Sequence, residues 1–114
     1  MDLKRKRELL ESYKNRHPEM GVISYFCNAT GEEFIGISKD TRADFNSTDM
    51  KLSTNWHPNK QLQQLWNQYG PEGFVRSVIR VLEYDNPNED QTDKLESLRE
   101  EYLAENQTAR RIWR

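Results

Sequence analysis

Residues Gly21–Asp40 read GVISYFCNATGEEFIGISKD. Val22, Ile23, Tyr25 and Phe26 precede a polar turn, Asn28-Ala29-Thr30-Gly31, and Phe34, Ile35 and Ile37 follow it. Branched and aromatic residues of this kind suit a pleated, half-buried surface. Gly31 can take the positive φ that a tight reversal demands. The stretch is therefore expected to form a β-hairpin. Cys27, the only cysteine, falls inside the first run and is expected to be a buried thiol. A single cysteine excludes a disulfide within the chain and a cysteine-rich zinc site.

Outward from the hairpin, Asp40 or Thr41 can cap a helix running towards Met50, with Ala43, Phe45 and Met50 as its expected buried residues. Residues 51–57, KLSTNWH, read as a loop. Pro58 or Asn59 starts a firmer helix in which Leu62, Leu65, Trp66 and Tyr69 fall on one face, and Gly70-Pro71 ends it. Trp56 and Trp66 are expected in the core on size and spacing, with base stacking as the other reading of Trp56. Residues 73–84, GFVRSVIRVLEY, give a third strand. Its nearly continuous apolar run predicts a central strand buried on both faces. After a polar loop, Thr92 or Asp93 caps a last helix with Leu95, Leu98, Tyr102 and Leu103 on one face. Upstream, residues 2–16 predict a helix with a narrow apolar stripe and a basic run, Lys4–Arg7.

The length of 114 residues fits one domain over the whole chain, with a helical extension over 1–19, a core over 20–104 and a basic tail over 105–114. Charged residues make up 32% and the net charge is −2, so a domain-wide basic footprint for nucleic acid is absent. Binding of that kind would need local patches, for which Lys4–Arg7, Arg42 and Arg110–Arg111 are the candidates. No apolar run is long enough to cross a membrane, and no apolar h-region follows the basic N-terminus, so no signal peptide is expected. The chain is expected to be cytoplasmic, without a membrane partner.

The ordered segments resemble the GIY-YIG nuclease superfamily, and in particular its small stand-alone bacterial members. Gly21-Val22-Ile23 and Phe34-Ile35-Gly36 stand where the two signature motifs stand, with Phe34 eleven positions after Ile23. The run Gln61–Gly70, QLQQLWNQYG, followed by Phe74 at the start of a strand, is similar to a family segment, as is Leu95-Glu96-Ser97-Leu98. The resemblance implies an α+β fold with a small three-stranded antiparallel sheet flanked by helices, here with an extra N-terminal helix. It also implies metal-dependent cleavage of nucleic-acid phosphodiester bonds. In the family, a first-strand tyrosine helps deprotonate water, a second tyrosine and an arginine steady the phosphate, and a glutamate of the last helix holds the metal.

On this chain those four positions are occupied by Ile23, Phe34, Asp44 and Arg99. None supplies the group that the family chemistry needs, which predicts impaired catalysis. Candidates for a displaced site are Tyr25, two residues along the first strand; Arg42, two positions before Asp44; His57, ahead of the central helix; and Glu96, as a replacement ligand for Mg²⁺ or Mn²⁺ should the domain be active. Each also has a plain structural reading: a packing tyrosine, a surface ion pair, a loop histidine and a solvated acidic face. Two functional readings stand: a nuclease-family domain with impaired catalysis, and a non-catalytic module that binds nucleic acid or a protein partner as a regulator.

Overall fold

The structure is a computed structural model that describes residues 18–85 and 89–112. The expected helix over 2–16, with Lys4–Arg7, lies outside the described residues. The described chain runs β1 (Met20–Cys27), β2 (Glu33–Ser38), α1 (Thr41–Ser53), α2 (Lys60–Tyr69), a 3₁₀ turn (Pro71–Gly73), β3 (Phe74–Leu82), α3 (Thr92–Glu105) and β4 (Ala109–Arg111). The expected α+β order is present. No helix among the described residues is long and apolar enough to cross a membrane.

β1 and β2 form the expected antiparallel hairpin, with Ile23 opposite Gly36 and Tyr25 opposite Phe34. Gly31 takes φ 76° in the turn, and its N–H donates to the Cys27 carbonyl at 2.8 Å. The sheet has four strands in the order β3-β1-β2-β4, one more than expected. The added strand comes from the basic tail, whose residues Ala109–Arg111 run parallel to β2. Ile112 then donates its N–H to the Ile35 carbonyl at 2.7 Å and buries its side chain in the core. Three paired residues with only Ala109 and Ile112 turned inward are too few to establish a strand period in sequence.

The position of β3 also differs from expectation. It is an edge strand, with Val75 and Val81 largely exposed, and β1 is the central strand. A bulge explains the misleading pattern. Val22 pairs with Arg80 and Ile23 with Val78, leaving Ile79 as the extra residue. Ile79 packs beneath α3, and Arg80 lies over the Tyr102 ring of the same helix at 5.2 Å. Two consecutive side chains thus share one face, which breaks the period of two.

Alternation along β1 divides the core. Ile23, Tyr25 and Cys27 join Phe34, Leu52, Leu62, Trp66, Phe74 and Ile112 in a layer with α1 and α2. Val22 joins Ile35 and Ala109 against Leu98, Tyr102 and Leu103 of α3 on the opposite face. On that second face the buried Glu33 carboxylate accepts the Ser24 hydroxyl and the Tyr102 hydroxyl, each at 2.6 Å. Buried polar groups need such partners. The Tyr102 bond ties α3 to β2, and the Ser24 bond joins β1 to β2.

The helices start and stop largely as their sequences suggest. Asp40 caps α1 by accepting the Ala43 N–H, and Asn59 caps α2 by accepting the Leu62 N–H. Gly70 takes φ 73° after α2. Gln91, rather than Thr92 or Asp93, precedes α3. On α1 the buried residues are Thr41, Thr48 and Leu52, whereas Ala43 and Met50 are exposed and Phe45 is half-buried. Leu52, placed by expectation in the loop, is still helical because α1 continues to Ser53.

Gly21 has a specific reason to be glycine. A Cβ there would lie 2.0 Å from the Arg80 carbonyl oxygen, at the bulge. No side-chain rotation relieves a clash with backbone. Gly21→Ala should therefore lose stability by about 1–3 kcal/mol, the usual range for forced overpacking. Urea unfolding followed by circular dichroism checks this. A midpoint equal to that of the unaltered chain would show that the bulge relaxes freely.

Candidate functional site

The two signature positions on the hairpin lie under α1 and α2. Ile23 is 0% exposed and Phe34 is 1% exposed, and both belong to the apolar layer there. Neither carries a group that can move a proton or hold a phosphate.

Tyr25 is equally buried, and its hydroxyl is committed. It donates to Asp49 Oδ1 of α1 at 2.7 Å and approaches the Phe45 carbonyl at 3.3 Å. Arg76 of β3 pairs with the other oxygen of Asp49. Burial, and then the hydrogen bond and charge of Asp49, push the phenol well above its ordinary value. Tyr25 therefore stays protonated at neutral pH, and its hydroxyl ties β1 to α1. Hydrogen bonds to a charged acceptor contribute about 1.5–3 kcal/mol.

Arg42 projects from the first turn of α1 as an exposed side chain with no ion pair among the described residues. Asp44, at the signature arginine position, accepts the Ser38 hydroxyl. Arg99 is buried on α3 and pairs through Nε and Nη2 with Glu100, whose carboxylate also takes Arg111 at 2.5 Å. Glu96 is exposed on the same helix. Because α3 covers the face of the sheet opposite α1 and α2, Glu96 lies on the other side from Tyr25 and His57. The four candidates thus do not converge on one point. Among the described residues no three His, Cys, Asp or Glu side chains gather into a set that could hold a metal ion. With a buried cation at the signature glutamate position, the donor set there does not fit a divalent cation.

His57 is differently placed. Its N–H donates to Gln63 Oε1 at 3.1 Å, and its ring Nδ1 accepts the Asn59 N–H at 3.0 Å. The neutral ring then carries its proton on Nε2. Burial, and then the charge of Lys51, lower its pKa from 6.5. Two surface pockets meet at this side chain. One, of about 230 Å³, is lined by Asp44, Ser47, Thr48, Lys51 and Pro58 with His57. The other, of about 440 Å³, is lined by Asn55, Lys60, Gln63, Gln64 and Asn67 with His57. The structure therefore brings together His57, the signature position Asp44 and two exposed lysines. The lysines were not singled out from sequence. The signal was present, since Asp44, Thr48 and Lys51 are spaced i, i+4, i+7 on one helical face.

The candidate basic patch in the tail is partly engaged. Arg110 Nη1 donates to Gln61 Oε1 at 2.8 Å, and Arg111 is held by Glu100.

The same arrangement of sheet and helices occurs in two solved structures. A mutant of the catalytic domain of intron endonuclease I-TevI matches over 83% of this chain and 94% of that one, with a TM-score of 0.68 and 16% identity. The catalytic domain of homing endonuclease I-TevI matches over 83% and 99%, with a TM-score of 0.64 and 17% identity. This chain has the GIY-YIG nuclease fold. At the level of sequence no family model matches it, and no curated protein does. The fold thus agrees with the resemblance read from the ordered segments.

The lowered pKa of His57 has a measurable consequence. Between its folded value and 6.5, the unfolded chain binds more protons at this site than the folded one, so stability rises with pH in that window. The contribution is complete above 6.5 and is lost as pH falls through the window. The stability of the unaltered chain minus that of His57→Gln, measured by urea unfolding from pH 5 to 8, should climb to about pH 6.5 and then level off. A difference that is flat throughout would show that His57 titrates alike in both states.

Proposed function

We propose that this domain uses the GIY-YIG scaffold to bind nucleic acid, with phosphodiester hydrolysis lost or severely impaired. The observation that carries the reading is the split fate of the site. The positions for the attacking-water chemistry are filled by Ile23 and Phe34 inside the core, while His57, Lys51 and Lys60 stand at two open pockets on the same side of the sheet. The structurally similar I-TevI domain is the catalytic domain of an endonuclease, which directs the choice of ligand to nucleic acid.

Magnitudes favour loss of turnover. A positioned general base contributes about 10²–10⁴-fold, and one charge-stabilising donor about 10²–10³-fold. Losing both, together with the metal-ligand position, leaves little acceleration. Lys51 and Lys60, by contrast, need only attract phosphate, which any exposed cation does. The Asp44 carboxylate faces one pocket but is occupied by Ser38, and Lys51 lies about two helical turns away from it, roughly 10 Å along the axis.

Two measurements test this. Purified protein incubated with supercoiled plasmid, single-stranded DNA or RNA in Mg²⁺ or Mn²⁺ should give no nicking above the blank. Metal-dependent cleavage abolished by Glu96→Ala would instead establish a displaced site using that carboxylate. For binding, anisotropy titrations at several salt concentrations should show affinity falling steeply as salt rises. Lys51→Ala and Lys60→Ala should each lower the magnitude of the log–log salt slope by about one. Binding that ignores salt, or no binding at low salt, would remove nucleic acid as the ligand and favour a protein partner.

A further inference from the structure

Trp56 is 80% exposed, far more than the other described tryptophan, Trp66, at 6%. Size and spacing predict both in the core, with base stacking as the other reading of Trp56. The exposure of Trp56 is built by its neighbours. Asn55 takes φ 62°, the one positive φ outside glycine among the described residues, which turns the chain sharply after α1. The Asn55 N–H donates to the Leu52 carbonyl at 3.3 Å and the Trp56 N–H to the Lys51 carbonyl at 2.8 Å. From α2, Asn67 Nδ2 donates to Asn55 Oδ1 at 3.0 Å, and Gln63 holds both the Leu52 carbonyl and the His57 N–H. The residues on either side of Trp56 are thus pinned to two helices while its indole stands in solvent.

The surroundings define what such a ring suits. Asn55 and His57 line the larger pocket beside Lys60, Gln63, Gln64 and Asn67. The carboxamide of Gln64 and the Nδ2 of Asn55 make no hydrogen bond among the described residues, so both can pair with a ligand. Lys51 and Lys60 place cations on the two sides of His57. An aromatic face, unengaged amide groups on Asn55 and Gln64, and nearby cations together match an unpaired nucleotide: a ring to stack, groups to pair with base edges and charge to neutralise a phosphate. A protein hot spot would use the exposed indole equally well, but it has no need of the two cations that flank the neighbouring His57. A duplex keeps its base faces stacked and out of reach.

From this geometry we infer that Trp56 is a stacking platform for an unpaired base, with Asn55 and Gln64 at its edge and Lys51 and Lys60 on its phosphates, so that the domain prefers single-stranded over double-stranded nucleic acid. This inference rests on the nucleic-acid reading above and adds the class of substrate.

The test uses the full chain and four fluorescein-labelled probes: oligo-dT, oligo-U, a mixed-sequence single strand and its duplex, each read by anisotropy at fixed low salt. The unaltered chain should bind the single strands more tightly than the duplex. Trp56→Ala should weaken single-strand binding by about 5- to 100-fold, the usual loss for one stacked base. Duplex affinity and the salt slope should change little. Trp56→Phe should recover much of the loss, because a phenyl ring still stacks. Since Trp56 packs into no core, both variants should melt as the unaltered chain does. Oligo-dT and oligo-U should bind alike, because stacking needs only the face of a base.

Salt-dependent binding that Trp56→Ala leaves intact would overturn the platform and keep the nucleic-acid reading. Equal losses on duplex and single strand, unrescued by phenylalanine, would also overturn it. Failure of every probe to bind would remove both proposals, and self-association lost in Trp56→Ala would reassign the indole to a protein contact.

Discussion

The central strand β1 is covered on both faces, and that coverage sets the conditions for nearly every other residue. A polar side chain on such a strand must find a partner within the fold or bear the cost of desolvation. Ser24 meets the condition through Glu33 on the α3 side, and Tyr25 through Asp49 on the α1 side. Ile23, one position before Ser24, has no polar group to satisfy and simply fills the layer. A hydroxyl at that position works in a nuclease only where the layer opens to water and phosphate. With Ile23 and Phe34 in place, the layer is closed and gains apolar burial instead. The same constraint explains Gly21. The bulge in β3 brings the Arg80 backbone against β1, and only a residue without a side chain allows it.

The parts of the fold that were legible in sequence are those fixed locally. The hairpin follows from its turn residues, α2 from a clean helical period between Asn59 and Gly70, and the apolar face of α3 from the spacing of Leu95, Leu98, Tyr102 and Leu103. The parts that were not legible depend on contacts between distant segments. The position of β3 at the edge was hidden because the bulge at Ile79 merges two faces into one apparent apolar run. The strand β4 is too short to show a period and exists because β2 offers it an edge. The buried face of α1 was misread because two of its three buried residues are threonines, Thr41 and Thr48, and composition favours Phe45 and Met50 instead.

The site divides along the same line. His57 could be found from sequence as a histidine beside Pro58 at the entry to α2. Lys51 and Lys60 could not, because exposed lysines are scattered over most helices and only proximity to His57 distinguishes these two. Tyr25 looked available because strand alternation puts it on the same face as Ile23, which is correct. Its engagement by Asp49 needs the placement of α1 and cannot be read from β1 alone. For Trp56, size and spacing favour the core over an exposed stacking ring. The backbone reversal at Asn55 and the carboxamides of Gln63 and Asn67 decide otherwise, and they act from α2, across the loop.

Binding and turnover place different demands on a surface, which is why one can outlast the other. Affinity requires contacts to features present in the ground state, such as phosphate charge and the face of a base. Acceleration requires groups that act only as charge develops and a proton moves. On the proposed reading, Lys51, Lys60, His57 and Trp56 are of the first kind, and the signature positions held by Ile23, Phe34, Asp44 and Arg99 are of the second. Replacing the second set gives up the water-activating and metal-holding groups and two phosphate contacts, and on this reading Lys51 and Lys60 supply phosphate attraction in their place. It can even favour retention, because a ligand that is not cut does not leave as product. A scaffold that keeps its aromatic and cationic surface while closing its chemical centre therefore becomes a binding module with few further changes.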